Sequence, residues 1–331
     1  MGIITNQLGV ILSHKESIKG KDVLAISVQF PPLIDQIKHF HRKFPALLSK
    51  NDFQKLKKTT QSSFQKTLFL EILEAKSINS LEISNEEGAE YIWNLNHDLE
   101  SDSAPEEIRN LGSSFDYIFE GGTMEHVSNN AIYLKNIFFL LRQQGLYCLN
   151  LPSSGNQEHG FFQYSPTFFS DLCYGNKNAL TLQHLSVSME NYDCKALIFD
   201  KFYQDTPFNF PPSCASKKSY DFYQSTYQPT SLATGTLLNL VNASGKASMV
   251  LAVIQKNKDF SFSLDFSQSV YRNVSLSSVV GSGEARVEKS AAKNRSLKSF
   301  ILGFPLPALI KFKLITYALK MLGHKAPKKN F

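Results

Sequence analysis

Residues Phe115 to Val127 read FDYIFEGGTMEHV, an apolar run that delivers Gly121, Gly122, Glu125 and His126 in quick succession. A glycine pair at a strand end lets another backbone or a ligand come close, because no Cβ stands in the way. In open α/β sheets, ligands bind just beyond the carboxyl ends of the strands. A histidine placed there suits proton transfer near neutral pH. A second histidine, His159, stands in the glycine-bounded loop GNQEHGFFQYSP, from Gly155 to Pro166, a good setting for a substrate contact. For His126 the alternative is a packing role beneath the next helix, capping the turn. Glu125 is expected to hold a backbone amide or a lysine.

No metal centre is expected. His39 and His41 in HFH look like half a site, yet no cysteine or carboxylate cluster accompanies them, and Lys38, Arg42 and Lys43 mark a solvated helix face. The four cysteines, Cys148, Cys173, Cys194 and Cys214, are spaced too widely for a CxxC motif and read as reduced, mostly buried thiols.

The elements that must position these residues alternate between strand and helix. KDVLAISVQ, ending at Pro31-Pro32, is a buried strand, and PLIDQIKHFHRKF follows with Leu33, Ile37 and Phe40 on one helical side. A Lys- and Gln-rich helical region becomes apolar at Thr67 to Ala75. Asn79 to Ser84, Ala89 to Asn96 and FDYIF supply further strands. SNNAIYLKNIFFLLRQQG is a helix capped by Asn129 or Asn130 and ended by Gly145, and LYCLNLP is a fifth strand. Two later runs around NASGK signal an antiparallel hairpin before Lys256. The fold expected is α/β: a Rossmann-like, mainly parallel sheet with helices on both faces and an antiparallel edge hairpin, plus a C-terminal helical extension. The expected boundary divides 1–257 from a basic extension over 258–331.

Four pieces in order resemble the class I S-adenosylmethionine-dependent methyltransferases, above all bacterial members with a "LEHV" turn and an "HGFYQFSP" loop. They are SLEISNEEGAEYIWNLN, FDYIFEGGTMEHV, the helix ending LLRQQG, and HGFFQYSPTFF. The resemblance spans roughly Lys21 to Lys256. It implies that Glu82, at the end of the second strand, accepts the ribose hydroxyls of the cofactor, and that Asn94 hydrogen-bonds adenine. Gly121 and Gly122 would give the methionine part room, with Glu120 near the sulfonium. The resemblance also brings His126 and His159 to the carboxyl edge as candidate bases. Phe162 and Tyr164, with Phe161, could wall an acceptor pocket, although aromatics in a chain with 26 Phe and 13 Tyr usually belong to the core. Gln157, His159 and Gln163 favour a hydroxylated acceptor, small or carbohydrate-like.

The first-strand turn departs from that family. AISVQFPP holds no glycine; Gln29 survives from the "GRQ" of the relatives, with Ser27 and Val28 in the other two places. Ser27 could still offer a backbone N–H and a hydroxyl. Two rivals follow: a methyltransferase-like scaffold that has lost its cofactor and serves binding or assembly, and a nicotinamide-dependent oxidoreductase, which would need a glycine-rich turn even more.

The net charge of +6 is unevenly distributed: from Glu284 onward, eleven Lys or Arg face two acids, so the rest of the chain nets −3. In the tail, Lys313, Thr316, Lys320 and His324 would share one face of a basic amphipathic helix suited to anionic headgroups. Lys311 sits within its apolar side, and docking on the body or on a second subunit is the alternative. Nucleic-acid binding is not expected. MGIITNQ has no secretory signature and the sequons at Asn242, Asn273 and Asn294 are discounted, so a cytoplasmic protein is expected, with peripheral membrane contact at the inner face.

Overall fold

A computed structural model describes residues 2–189, 196–201, 227–231 and 247–264. Cys194, Cys214, the sequons, the first run of the expected hairpin and the basic tail lie outside the described residues. The chain divides into two units, Met1–Asn273 and Val274–Phe331, and the second falls wholly among those outside.

The first unit opens with helices α1 (Thr5–Ser13) and α2 (Lys15–Ile18), then β1 (Asp22–Ile26), α3 (Ile34–Lys43), α4 (Lys50–Lys57) and α5 (Gln61–Lys66), which runs into a π turn over Thr67–Ile72. β2 (Ser77–Glu82), β3 (Tyr91–Ile92), α6 (Glu106–Arg109), β4 (Phe115–Glu120), α7 (Asn130–Leu140), β5 (Leu141–Ser154) and α8 (Pro166–Gly175) follow. β6 (Leu180–Met189), β7 (Ala196–Lys201), β8 (Tyr227–Ser231) and β9 (Ser248–Lys256) complete it. The sheet order is β3-β2-β1-β4-β5-β9-β6-β7-β8. Pairing from β3 to β5 is parallel, while β9 runs antiparallel to both β5 and β6, and β6 antiparallel to β7. This is the expected Rossmann-like architecture, with β9 inserted between β5 and β6.

The central strands read as unbroken apolar runs because both of their faces are covered. Val23 and Ala25 of β1 join a core with α1, α3, α4 and α5, while Leu24 and Ile26 join the opposite core with α7 and α8. Tyr117 and Phe119 face the first core and Ile118 the second. Helix α1 was not legible in the sequence. Its nine residues are all buried, polar Thr5, Asn6 and Gln7 included, so it shows no amphipathic period.

Three local expectations need correction. Leu33 is 62% exposed and precedes α3, whose buried face is Ile37 and Phe40. α7 is capped by Asn129, whose side chain accepts the Ile132 N–H, but it ends at Leu140 rather than at Gly145. The C-terminal carbonyls there are met by a buried cation: Lys256 Nζ donates to Phe138 O and Leu141 O at 2.7 Å each. Gly145 instead allows a close approach, since a Cβ would stand 2.7 Å from Leu141 Cδ1. His41 is not simply solvated: it stacks on Phe53 and its Nδ1 lies 2.8 Å from Leu48 O.

Candidate functional site

A cleft of about 370 Å³ opens where the strand order turns from β1 outward to β2 on one side and β4 on the other. Open α/β sheets place ligands at this switch point. Ile26 to Val28 form one wall, Leu81 to Ser84 another, and Trp93, Leu95, Gly122, Thr123 and Val127 close it. Its charges are one-sided: Glu82, Glu86 and Glu87 line it, and among the described residues no Lys or Arg does. Asn96 and His126 complete the polar rim.

The turn after β1 is tightly bound within the protein. Ser27 holds a left-handed backbone at φ 68°, and its N–H donates to Leu81 O at 2.9 Å. Val28 N donates to Glu82 Oε1 at 2.9 Å, and Ile83 N to Oε2 at 3.2 Å. The Ser27 amide is therefore not offered to a ligand, contrary to the expectation from sequence. The Ser27 hydroxyl accepts from Thr123 Oγ1 at 3.1 Å, at the floor of the cleft. Pro31 and Pro32 bring no N–H at all. Among these residues the Ser27 and Val28 amides are engaged within the protein, and the two prolines have none to offer.

Beyond β4 the glycine pair splits into two tasks. Gly122, at φ 97°, lines the cleft. At Gly121 a Cβ would lie 2.7 Å from Gly2 O and 2.5 Å from Gln29 Oε1, so this glycine admits the N-terminal strap, which bridges to Phe30. Gln29 is buried and donates to Ile26 O at 2.7 Å, holding the turn from behind rather than facing the cleft. Glu120 also turns inward: it accepts from Thr123 N, Met124 N and the Tyr147 hydroxyl, while Gln7 Nε2 donates to its carbonyl. Burial raises its pKa against those bonds. Asn94 Oδ1 accepts from Asn96 N and Nδ2, both at 3.0 Å, and does not line the cleft.

The fold brings His126 and His159 together, with ring centroids 5.3 Å apart. Both stand over Glu125, whose Oε1 lies 4.0 Å from His126 Nε2 and 3.7 Å from His159 Nε2. Glu125 is fully buried, and among the described residues neither carboxylate oxygen has a hydrogen-bond partner of normal geometry and no lysine reaches it. Burial, reinforced by the Glu120 charge, pushes its pKa up to about 8. His126 is not beneath the helix: its side chain is 45% exposed at the cleft, and desolvation, then His159, lowers its pKa. The His159 loop is stapled down by Phe161 N donating to Glu125 O at 2.7 Å. Gly160, at φ 81°, permits this, since a Cβ would sit 2.8 Å from Glu125 Cγ.

No protein-family model and no curated protein matches the chain. Among solved structures, it is similar to 1,6-didemethyltoxoflavin-N1-methyltransferase of Burkholderia thailandensis, at 10% identity and a TM-score of 0.36, covering 77% of this chain and 78% of that one. A putative sarcosine dimethylglycine methyltransferase from Galdieria sulphuraria gives 9% identity and 0.39, over 77% and 86%. The O-methyltransferase of a Brevibacillus brevis polyketide multienzyme gives 11% and 0.35, over 76% and 70%. Likenesses this distant carry no argument about what the chain does.

The remaining predicted contacts stay outside the cleft. Tyr164 is buried, its hydroxyl donating to Asn130 Oδ1 at 2.7 Å, which pins the loop to α7. Gln163 Oε1 accepts from Asn156 N within its own loop, and Phe162 is 37% exposed beside Phe161 at 72%. Sequence reasoning missed Trp93, Asn96, Thr123, Glu86 and Glu87. Trp93, the single tryptophan, carried the only compositional signal among them.

Proposed function

We propose that the chain is an S-adenosylmethionine-dependent methyltransferase acting on a hydroxyl of a small-molecule or carbohydrate-like acceptor. The observation that carries this is the donor and charge inventory of the switch-point cleft. Nucleotides with phosphates need free backbone N–H groups and cations. Here the Ser27 and Val28 amides are engaged, two prolines follow, and the lining charges are Glu82, Glu86 and Glu87. Such a site suits a nucleoside carrying positive charge and disfavours a nicotinamide dinucleotide.

Bound there, S-adenosylmethionine supplies a methyl group on a positively charged sulfur. Glu82 has lone pairs beyond those taken by Val28 and Ile83, and these accept the ribose hydroxyls. Trp93, Leu95 and Val127 give the base an apolar wall, and Gly122 leaves room for the remainder. His126, which lines the cleft, and His159 beside it are assigned to the acceptor hydroxyl. The exposed polar loop carrying Gln157 and Gln163 fits a hydroxylated partner.

Calorimetric titration of the full chain with S-adenosylhomocysteine tests this, with quenching of the lone Trp93 as a second readout. Saturable binding is expected, weakened roughly 10- to 100-fold in Glu82→Ala, the loss of bonds to a charged group. Glu82→Gln, which still accepts the Val28 N–H, separates ligand binding from loss of the turn. Absence of binding by folded protein would overturn the proposal and leave the scaffold reading.

A further inference from the structure

Glu125 poses a problem that the methyl-transfer reading leaves unsolved. A carboxyl group with both oxygens buried and, among the described residues, without a hydrogen-bond partner is costly, and native structures resolve such a group by holding a proton, a water or an ion. The nearest groups are two imidazoles from different segments of the chain. His126 follows it in the turn after β4, and His159 comes from a loop 34 residues further along. The three candidate ligand atoms lie within 4.8 Å of one another.

We propose that Glu125, His126 and His159 form a binding site for a first-row divalent cation of the zinc type. Imidazole nitrogen and carboxylate oxygen are the donors such cations take, at roughly 2.0–2.2 Å, which sets neighbouring ligand atoms roughly 3.3–3.5 Å apart in a tetrahedral centre. The carboxylate oxygen stands 3.7 Å from one imidazole nitrogen and 4.0 Å from the other, so modest side-chain rotation closes the site. Both imidazoles are about half exposed, and the carboxylate beneath them is buried. Three protein ligands leave a coordination position open, the arrangement of catalytic rather than structural sites. His126 also lines the cleft, so a cation here stands beside the assigned acceptor position and could hold its hydroxyl oxygen. Gly160 supports the site indirectly, because only a residue without Cβ lets the His159 loop lie against Glu125.

The site rests on the geometry of these three residues and does not require the cleft to take the sulfonium cofactor. The experiment is calorimetric titration of chelator-treated full-length protein with Zn²⁺, repeated with Co²⁺ and followed by its visible absorption. About one equivalent is expected, with a tetrahedral-type cobalt spectrum. Glu125→Gln, His126→Ala and His159→Ala should each weaken binding by at least ~10-fold, since even outer-shell changes reach that size. His39→Ala, an exposed histidine elsewhere, should leave it unchanged. Glu125→Gln keeps the side-chain volume, and circular dichroism of the same preparation separates a loss of binding from a loss of fold. No uptake by folded protein, or equal uptake by all three variants, overturns the proposal. S-adenosylhomocysteine binding measured on the same preparations reports separately on the cleft.

Discussion

Ser27 carries a conformational strain that its position explains. A side-chain-bearing residue at φ 68° costs about 1–2 kcal/mol relative to glycine. What holds it there is its N–H bond to Leu81 O and the engagement of Val28 by Glu82. Ser27→Gly removes the strain together with the bond from Thr123 Oγ1, so a net gain of about 0.5–1 kcal/mol is expected in denaturant unfolding. The same substitution widens the floor of the cleft, and S-adenosylhomocysteine should bind the variant more tightly than the natural chain. A loss of stability would mean that the hydroxyl bond outweighs the backbone strain.

At the scale of elements, the N-terminal strap and α1 settle the backbone beyond β1 and β4. Gly2 bridges to Phe30 and lies against Gly121, while Gln7 bonds the carbonyl of Glu120. Gly121→Ala would press a methyl group on the Gly2 carbonyl and on the buried side chain of Gln29. A loss of about 1–3 kcal/mol in unfolding free energy is expected, the usual cost of overpacking. Since Gly121 faces the strap and Gly122 the cleft, ligand affinity measured on the folded fraction should change little.

For the whole molecule, buried histidines set the response to acid. His14 and His184 are fully buried, and desolvation lowers their pKa to about 4 and about 3. Below the ordinary value of 6.5, the unfolded chain takes up protons that the folded one refuses, so both groups withdraw stability as pH falls. Glu125 works in the opposite sense: its folded pKa near 8 means the folded state keeps a proton that the unfolded chain releases above its ordinary value of 4.5. Its penalty is greatest at high pH and shrinks on acidification. At about 1.4 kcal/mol for each pH unit over which only one of the two states is protonated, the Glu125 effect offsets part of the histidine effect between pH 7.5 and 5.5. Over that range metal-free natural protein should therefore lose less stability by urea unfolding than Glu125→Gln, which should lose about 2–3 kcal/mol. A flat profile in the variant would mean that the two histidines are not buried neutral.

The order of strands and helices around the parallel half of the sheet was readable from the sequence because both sides of each central strand are buried, leaving continuous apolar runs. FDYIF became β4, and the Asn129 cap was visible because capping depends on neighbours in the chain. Helix α1 and the early end of α7 were not readable. One is buried on every side, and the other is ended by Lys256, more than a hundred residues away. The same distinction divides the candidate site. Glu82 and Gly122 reach the cleft because strand ends put them there, and the motifs marked those ends. That Gly121 serves a strap, that Glu120 turns inward, and that His159 returns to meet His126 over an unpartnered Glu125 depend on contacts between residues far apart in the chain. Local sequence determines which elements form and where they stop. Only packing decides which buried charge is satisfied and which is left facing a pair of imidazoles.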